Sequence, residues 1–390
     1  MDTLNQQISA TMTNVTKQEL SDFLQNMAGS VSNLLHPENR QAWNGMDKIA
    51  LKATEMVSVL EDSTAAAANQ QLQDMLNNAI TDPDKFRNLS ITVKVPHVEI
   101  TIDVIEMIKF KGLSLSMMRN LSVDGGNGSV IINQITFPPS LFEDALSEKL
   151  ASGFYTSLGC YSDNDQDRAV PTMEGTHQLL KESFLTRKDA VAKCAEVTRS
   201  RGWKVFAVQD GGWCASSPTA HLTYNKYGTA VNCVDGKGGM FANDVYIINA
   251  YYTGVCSIFY TNLEDLLTSD PLLEIWSLEE MGAQTPYNKS KLNSIIISGK
   301  IVSEQQKFYQ SLSDPIELVF EHLDTNDTTP VLCAFLNMDS DGPDDRWFDY
   351  GCYMYQTNKS HTVCHCSHLT NFALLFDYRG SPVRRALRSE

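Results

Sequence analysis

The chain lacks any long apolar run. No segment reaches the roughly 18–20 apolar residues that a membrane span needs. Its start, Met1-Asp-Thr-Leu-Asn-Gln-Gln, has neither the basic nor the apolar region of a secretory leader. Positive charge is scarce. Lys and Arg number 31 against 47 Asp and Glu, a net charge of −16, which argues against a nucleic-acid partner. Cys-x-x-Cys knuckles are missing, so no metal or cofactor is expected. No second nucleophile constellation is present either, so no multi-turnover enzyme activity is expected.

What the chain does have is cysteine and glycosylation acceptors. There are nine cysteines and seven Asn-x-Ser/Thr sequons, at Asn14, Asn88, Asn120, Asn127, Asn288, Asn326 and Asn358. Together they favour the secretory pathway and disulfides over a reducing cytosol. The expected location is extracellular or the cell surface. With no leader and no span visible, the chain reads either as a fragment of a longer protein, the favoured reading, or as a form that lost its membrane part. Its 390 residues suffice for two or three domains.

The most informative stretch is Thr362-Val-Cys364-His-Cys366-Ser-His368-Leu369-Thr370-Asn-Phe372-Ala-Leu374-Leu. It has the layout of a chain that cuts itself. A threonine hydroxyl is a weak nucleophile and needs a base. Histidine has the pKa for that task. Thr370 would attack the carbonyl of Leu369 while His368 takes its proton. The product of that attack is a five-membered ring that collapses to an ester, which water hydrolyses. Nucleophile and carbonyl are neighbours in one chain, so proximity is supplied. A fixed, strained backbone is still required, and nearby disulfides can provide it. A small Cys-x-Cys-x-His metal site is the competing reading of the same residues.

The pattern extends upstream through Cys333-Ala-Phe335-Leu-Asn337 and Trp347-Phe-Asp-Tyr-Gly351-Cys352. Cys333, Trp347, Gly351, Cys352, Cys364, Cys366, His368, Leu369 and Thr370 together resemble the G-protein-coupled-receptor proteolysis site (GPS). That motif closes the GAIN domain of adhesion receptors and polycystin-1-like proteins. The resemblance implies catalytic roles for His368, Leu369 and Thr370, disulfides Cys333–Cys364 and Cys352–Cys366, and structural support from Trp347 and Gly351. It also implies that the strand bearing Phe372, Leu374 and Phe376 is a tethered-agonist-like segment, held noncovalently after cleavage, whose partner is the membrane bundle of a full-length parent. One departure stands out: Phe335-Leu336 occupies a region where the family usually has a second tryptophan.

The fold class expected is α+β: a helical subdomain, then a twisted β-sandwich ending in the proteolysis motif, with an inserted disulfide-rich α+β module. Residues 1–82 read as the helical GAIN subdomain A. Thr16-x-x-Glu19 is a capping box, and Leu20, Phe23, Leu24, Met27, Val31, Leu34 and Leu35 form one apolar face. Two further helices are expected over 46–60 and 65–79. Residues 83–152 and 250–380 alternate at period two and read as the sandwich of subdomain B, with the motif at 333–376. Residues 381–390 read as a tail.

Residues 153–249 form a different piece. Four cysteines lie there, Cys160, Cys194, Cys214 and Cys233, with a helix expected over 187–200. Gly-Cys-Tyr-Ser-Asp and Trp-Cys weakly resemble WSC-like extracellular modules. Asp210, Trp213, Tyr224 and Tyr227, with Gln209 beside them, are candidates for binding a glycan or protein ligand. Trp203 and Trp213 are alternatively core of a small domain. Asp163-x-Asp165-x-Asp167 and Asp339-Ser-Asp341 read as solvated acidic loops rather than calcium sites. The odd cysteine is assigned to Cys256. The favoured function is self-cleavage between Leu369 and Thr370, a single turnover. The alternative is a non-cleaving extracellular scaffold whose inserted module binds the ligand.

Overall fold

In the computed structural model the described residues are 16–44, 46, 49–78, 89–107, 110–123, 126–143, 154–249, 252–267, 273–276, 287–302, 312–337 and 346–376. The chain divides into two compact units. One combines Met1–Glu143 with Tyr252–Glu390; the other is Asp144–Tyr251. The second unit thus takes in nine residues before 153 and two after 249.

The first unit begins with helix α1, Lys17–Leu34. Its capping box forms: the Thr16 hydroxyl accepts from the Glu19 backbone, and the Glu19 carboxylate accepts from the Thr16 backbone. Leu20, Leu24, Ala28 and Val31 lie buried along one face, while Leu34 is largely exposed. Helix α2, Ile49–Asn78, corrects the expectation of two helices over 46–60 and 65–79, since it runs unbroken through Glu61-Asp-Ser-Thr64. The Ser63 and Thr64 hydroxyls donate to the Val59 and Leu60 carbonyls four residues back. The residues that looked like a break therefore satisfy their polar groups inside the helix.

Strands β1 (Leu89–Val95), β2 (Val98–Glu106), β3 (Leu113–Val123) and β4 (Gly126–Phe137) follow. The second unit supplies β5 (Tyr155–Ser162), helix α3 (Ala190–Ser200), β6 (Val205–Gln209), β7 (Trp213–Ser216) and β8 (Ala242–Ile248). The first unit resumes with β9 (Tyr252–Tyr260), β10 (Leu273–Trp276), β11 (Tyr287–Ser290), β12 (Ile296–Val302) and β13 (Ile316–Glu321). It ends with β14 (Val331–Asn337), β15 (Arg346–Phe348), β16 (Cys352–Thr357), β17 (His361–Cys366) and β18 (Asn371–Phe376).

Among the described residues, the first unit has a nine-stranded sheet, β1-β2-β9-β12-β18-β14-β15-β10-β11, and a five-stranded sheet, β16-β17-β13-β4-β3. Ladders are antiparallel except β10 with β15. The larger sheet has helices on one face: α1 and α2 pack on β1, β2, β9 and β12. Their apolar stripes meet Ile91, Ile100, Ile258, Ile296, Ala373 and Leu375 in one core cluster. No described helix is long and apolar enough to cross a membrane. The molecule is α+β, with antiparallel sheets and four disulfides.

In the second unit a four-stranded sheet, β5-β8-β6-β7, carries α3 on one face. The other face is covered by Ala169, Val170 and Ala220. Cys194–Cys214 ties α3 to β7, and Cys160–Cys233 ties β5 to a loop. Asp163 is not solvated, correcting the acidic-loop expectation at that position. It is buried, pairs with Arg168 at 2.8 Å and accepts from the Ala169 backbone. Asp167 is the exposed partner of Lys226 and Tyr227. Residues 339–341 lie outside the described residues.

Candidate functional site

The proteolysis motif folds where the chain passes from the smaller sheet to the larger. Strand β17 belongs to one and β18 to the other, so Ser367, His368, Leu369 and Thr370 form the corner between them. All four are half-buried. Cys366 closes β17 and is bonded to Cys352, its register partner on β16. Two residues earlier Cys364 is bonded to Cys333 of β14, which joins the two sheets covalently. The strand that enters the corner is thus tied covalently to both sheets.

Gly351 sets the approach of the turn. Its φ is +71°, a region that L side chains rarely adopt, and a Cβ there would lie 3.0 Å from His368 Nδ1 and Ser367 Oγ. The Ser367 backbone donates to the Gly351 carbonyl at 2.8 Å. Trp347 is fully buried on the helix side of the larger sheet, opposite Leu336.

His368 sits in an aromatic nest. Its ring meets Phe335 edge-on at 4.3 Å between centroids and lies near Phe372 and Tyr350. Nε2 has no hydrogen-bond partner. Burial lowers its pKa to about 4, because the nest disfavours the charged ring. The imidazole is therefore neutral at pH 7 and can accept a proton. Thr370 points its hydroxyl elsewhere, donating to the Leu336 carbonyl at 3.1 Å. No hydrogen bond joins His368 to Thr370, whose hydroxyl is engaged by Leu336 instead. The Thr370 carbonyl accepts from the Gly299 backbone at 3.0 Å.

Beyond the corner, β18 lies in the middle of the larger sheet. It pairs with β14 over six residues, Val331↔Phe376 to Leu336↔Asn371. On its other side it pairs with β12 at Ile297↔Phe372 and Ser298↔Asn371, and Phe376 donates to Lys291. None of its six residues is more than 1 % exposed.

Parts of the chain are similar to known families and proteins. A profile described as GAIN subdomain B, headed GPS, matches residues 237–380. A second, described as AGRL2-4 GAIN subdomain A, matches residues 1–68. The chain contains a GAIN domain closed by a GPS motif. Latrophilin Cirl of Drosophila persimilis is 41% identical to it over 86 residues, 22% of this chain and 5% of that protein. Adhesion G protein-coupled receptor L1 of Bos taurus is 33% identical over 126 residues, 32% of this chain and 8% of that protein. The chain thus spans less than a tenth of the length of these relatives. The full extracellular region of zebrafish Gpr126/Adgrg6 aligns with a TM-score of 0.33 at 13% identity, covering 94% of this chain and 33% of that one.

The expected ligand-binding residues belong to the second unit. Asp210 is exposed with φ +46°. Trp213 is half-buried under the Arg168 guanidinium, 4.6 Å from the ring centre, and Arg168 also donates to Gln209. Tyr224 packs edge-on against Tyr161, and the Tyr227 hydroxyl donates to Asp167. Asn326 and Asn358 are exposed in loops; Asn120, Asn127 and Asn288 lie on strands; Asn14 and Asn88 are outside the described residues. Cys256 is buried and unpaired, and burial pushes its thiol up to about 12, so it is inert as a nucleophile. The motif reading missed Phe335 as the wall of the His368 nest, and Gly299. A Cβ on Gly299 would come within 2.6 Å of Ile135 and 3.5 Å of Leu369. A lone glycine between Ser298 and Lys300 is the only trace of that contact in the sequence.

Proposed function

We propose that this GAIN domain cuts its own chain once, between Leu369 and Thr370, and keeps β18 bound afterwards. The observation that carries the reading is His368. It is a neutral imidazole with an unpartnered ring nitrogen, two residues from a threonine hydroxyl, at a corner fixed by two disulfides. Thr370 Oγ1 attacks the Leu369 carbonyl carbon as its proton passes to His368. The resulting hydroxyoxazolidine collapses by breaking the C–N bond, and His368 returns the proton to the leaving nitrogen. An ester between Leu369 and Thr370 Oγ1 replaces the amide. Water hydrolyses it, leaving a Leu369 carboxylate and a free Thr370 amine and hydroxyl. The enzyme-like event is a single turnover in which the chain is its own substrate.

In this reading the domain belongs to the extracellular region of an adhesion-receptor-like protein, carries glycans on its exposed sequons and meets the membrane bundle of its full-length parent through β18. The inserted unit would engage an extracellular glycan or protein. Four large apolar side chains, Phe372, Leu374, Leu375 and Phe376, are buried. At roughly 1.5–3 kcal/mol each they contribute about 6–12 kcal/mol to holding the cut strand, so release needs force or a partner.

The test is the denatured mass of deglycosylated protein secreted from eukaryotic cells. Fragments ending at Leu369 and beginning at Thr370, both absent in Thr370→Ala, are the expected result. A single intact mass for the wild type would overturn the reading and leave a non-cleaving binding scaffold.

A further inference from the structure

The face of the larger sheet turned toward the helices is apolar except near the cut. Asn371 is the first residue after Thr370. Across the ladder it faces Ser298 of β12, and both are buried with side chains on the helix side. Above them lies Glu61 of α2, itself only 7% exposed. The Ser298 and Asn371 side chains both lie within polar reach of its carboxyl, beneath the turn of α2 whose next residue, Asp62, pairs with Lys300 of β12. The Glu61 oxygen Oε1 is buried with no partner. Lys300 is near enough to act electrostatically, but its ammonium pairs with Asp62 at 3.3 Å. The Tyr260 hydroxyl is likewise buried without a partner.

A carboxyl in this place is costly to the fold. Burial without full hydrogen bonding is a net penalty, and a well-packed apolar side chain would serve an α-helix better. What the carboxyl touches suggests why it is there. Ser298 immediately precedes Gly299, whose N–H donates to the Thr370 carbonyl, and Asn371 immediately follows Thr370. Glu61 therefore braces the two residues on either side of the hydrogen bond that fixes Thr370 from its C-terminal side.

We propose that Glu61 is a positioning residue for the Leu369–Thr370 bond, a carboxyl on helix α2 that fixes Asn371 and, through it, the backbone of Thr370 from the opposite face of the sheet. It touches no reacting atom. Its contribution is to hold the nucleophile-bearing residue still while the hydroxyl turns from Leu336 toward the Leu369 carbonyl. The inference rests on the self-cleavage reading and assigns part of that chemistry to the helical subdomain.

The test follows newly made full chain in secreting cells by pulse-chase, with the cut fraction read over time and the melting temperature measured on purified protein. Glu61→Leu is expected to slow cutting about 10- to 100-fold, as small misplacements of reacting groups do, with a melting temperature equal to or above wild type. Glu61→Gln keeps an acceptor for Asn371 and is expected to cut within a few-fold of wild type. Asn371→Ala is expected to slow cutting as Glu61→Leu does, and the double variant to be no slower than either. Cutting by Glu61→Leu at the wild-type rate overturns the proposal while leaving self-cleavage standing. So do strictly multiplicative single effects, or a fall in cutting matched by a fall in melting temperature across all three variants. A wild type that never cuts overturns both. Should Glu61→Leu fail to be secreted, Glu61→Gln against Asn371→Ala decides: equal slowing by both overturns the positioning role.

Discussion

The two strands that flank the Leu369–Thr370 bond are held by opposite means. Strand β17 is only alternately buried and carries Cys364 and Cys366, each in a disulfide. Strand β18 has no cysteine and is buried at every residue, with Ala373 and Leu375 in the core cluster under the helices. One is fixed covalently and the other by apolar area and backbone pairing. The difference matches what the proposed self-cleavage requires. The segment before the bond must stay rigid to align the carbonyl. The segment after it must be held tightly yet without a covalent bond, or cutting would release nothing. Noncovalent retention is graded, whereas a disulfide is all or none.

The largest effect should come from weakening β18. Leu374→Ala with Phe376→Ala removes two fully buried side chains from a central strand, at about 2–5 kcal/mol each. After cleavage, the light fragment should separate from the heavy one on size exclusion, whereas wild type stays joined. Co-elution in the double variant would mean that backbone pairing to β14 and residues 291–298 suffices, and the contrast between the strands would vanish.

Opening the covalent side should cost less. Cys333→Ser with Cys364→Ser frees a loop with a sequence separation of 31; loop-closure entropy puts the loss at about 3–4 kcal/mol. The melting temperature should fall, and the cut fraction with it, because the corner loses its tie between sheets. Unchanged cutting at a lowered melting temperature would show that Cys352–Cys366 alone aligns the bond. Gly351→Ala comes next, at about 1–3 kcal/mol, from a left-handed φ and a Cβ pressed on His368. Its cut fraction should drop more than its stability implies, since the methyl group displaces the proposed base.

How much of this was legible beforehand depends on the range of the contact. The GPS motif, the capping box at Thr16 and Glu19, and the alternation along β18 are local patterns, and each could be read from neighbours in sequence. The continuity of α2 through Ser63 and Thr64 was not legible, because hydroxyls bonding back to carbonyls resemble a helix break until the backbone is seen. Phe335 illustrates a third case. It stands in a region where the family usually has a tryptophan, and only the fold shows that its ring walls His368 at 4.3 Å. Glu61 and Gly299 carry no pattern at all. They lie roughly 310 and 70 residues from Thr370 along the chain, and only the sheet order brings them to it.

The smallest expected effect concerns His368, and its small size is what makes it diagnostic. A histidine with an ordinary pKa near 6.5 is about nine-tenths protonated at about pH 5.5. Held at about 4 by burial, the ring stays mostly neutral there. The side-chain NMR titration of Thr370→Ala protein, which keeps the bond intact, should show the His368 signals moving only as pH approaches about 4. Linkage gives the matching sign in stability. Between about pH 6.5 and 4 the unfolded chain binds a proton that the folded ring refuses, so this group destabilises the fold progressively as pH falls through that window and has no effect above it. A midpoint near 6.5 would place the ring in water, outside the nest of Phe335, Tyr350 and Phe372. The base would then be switched off by mild acid, and the rigid side of the corner would be no better ordered than an exposed loop.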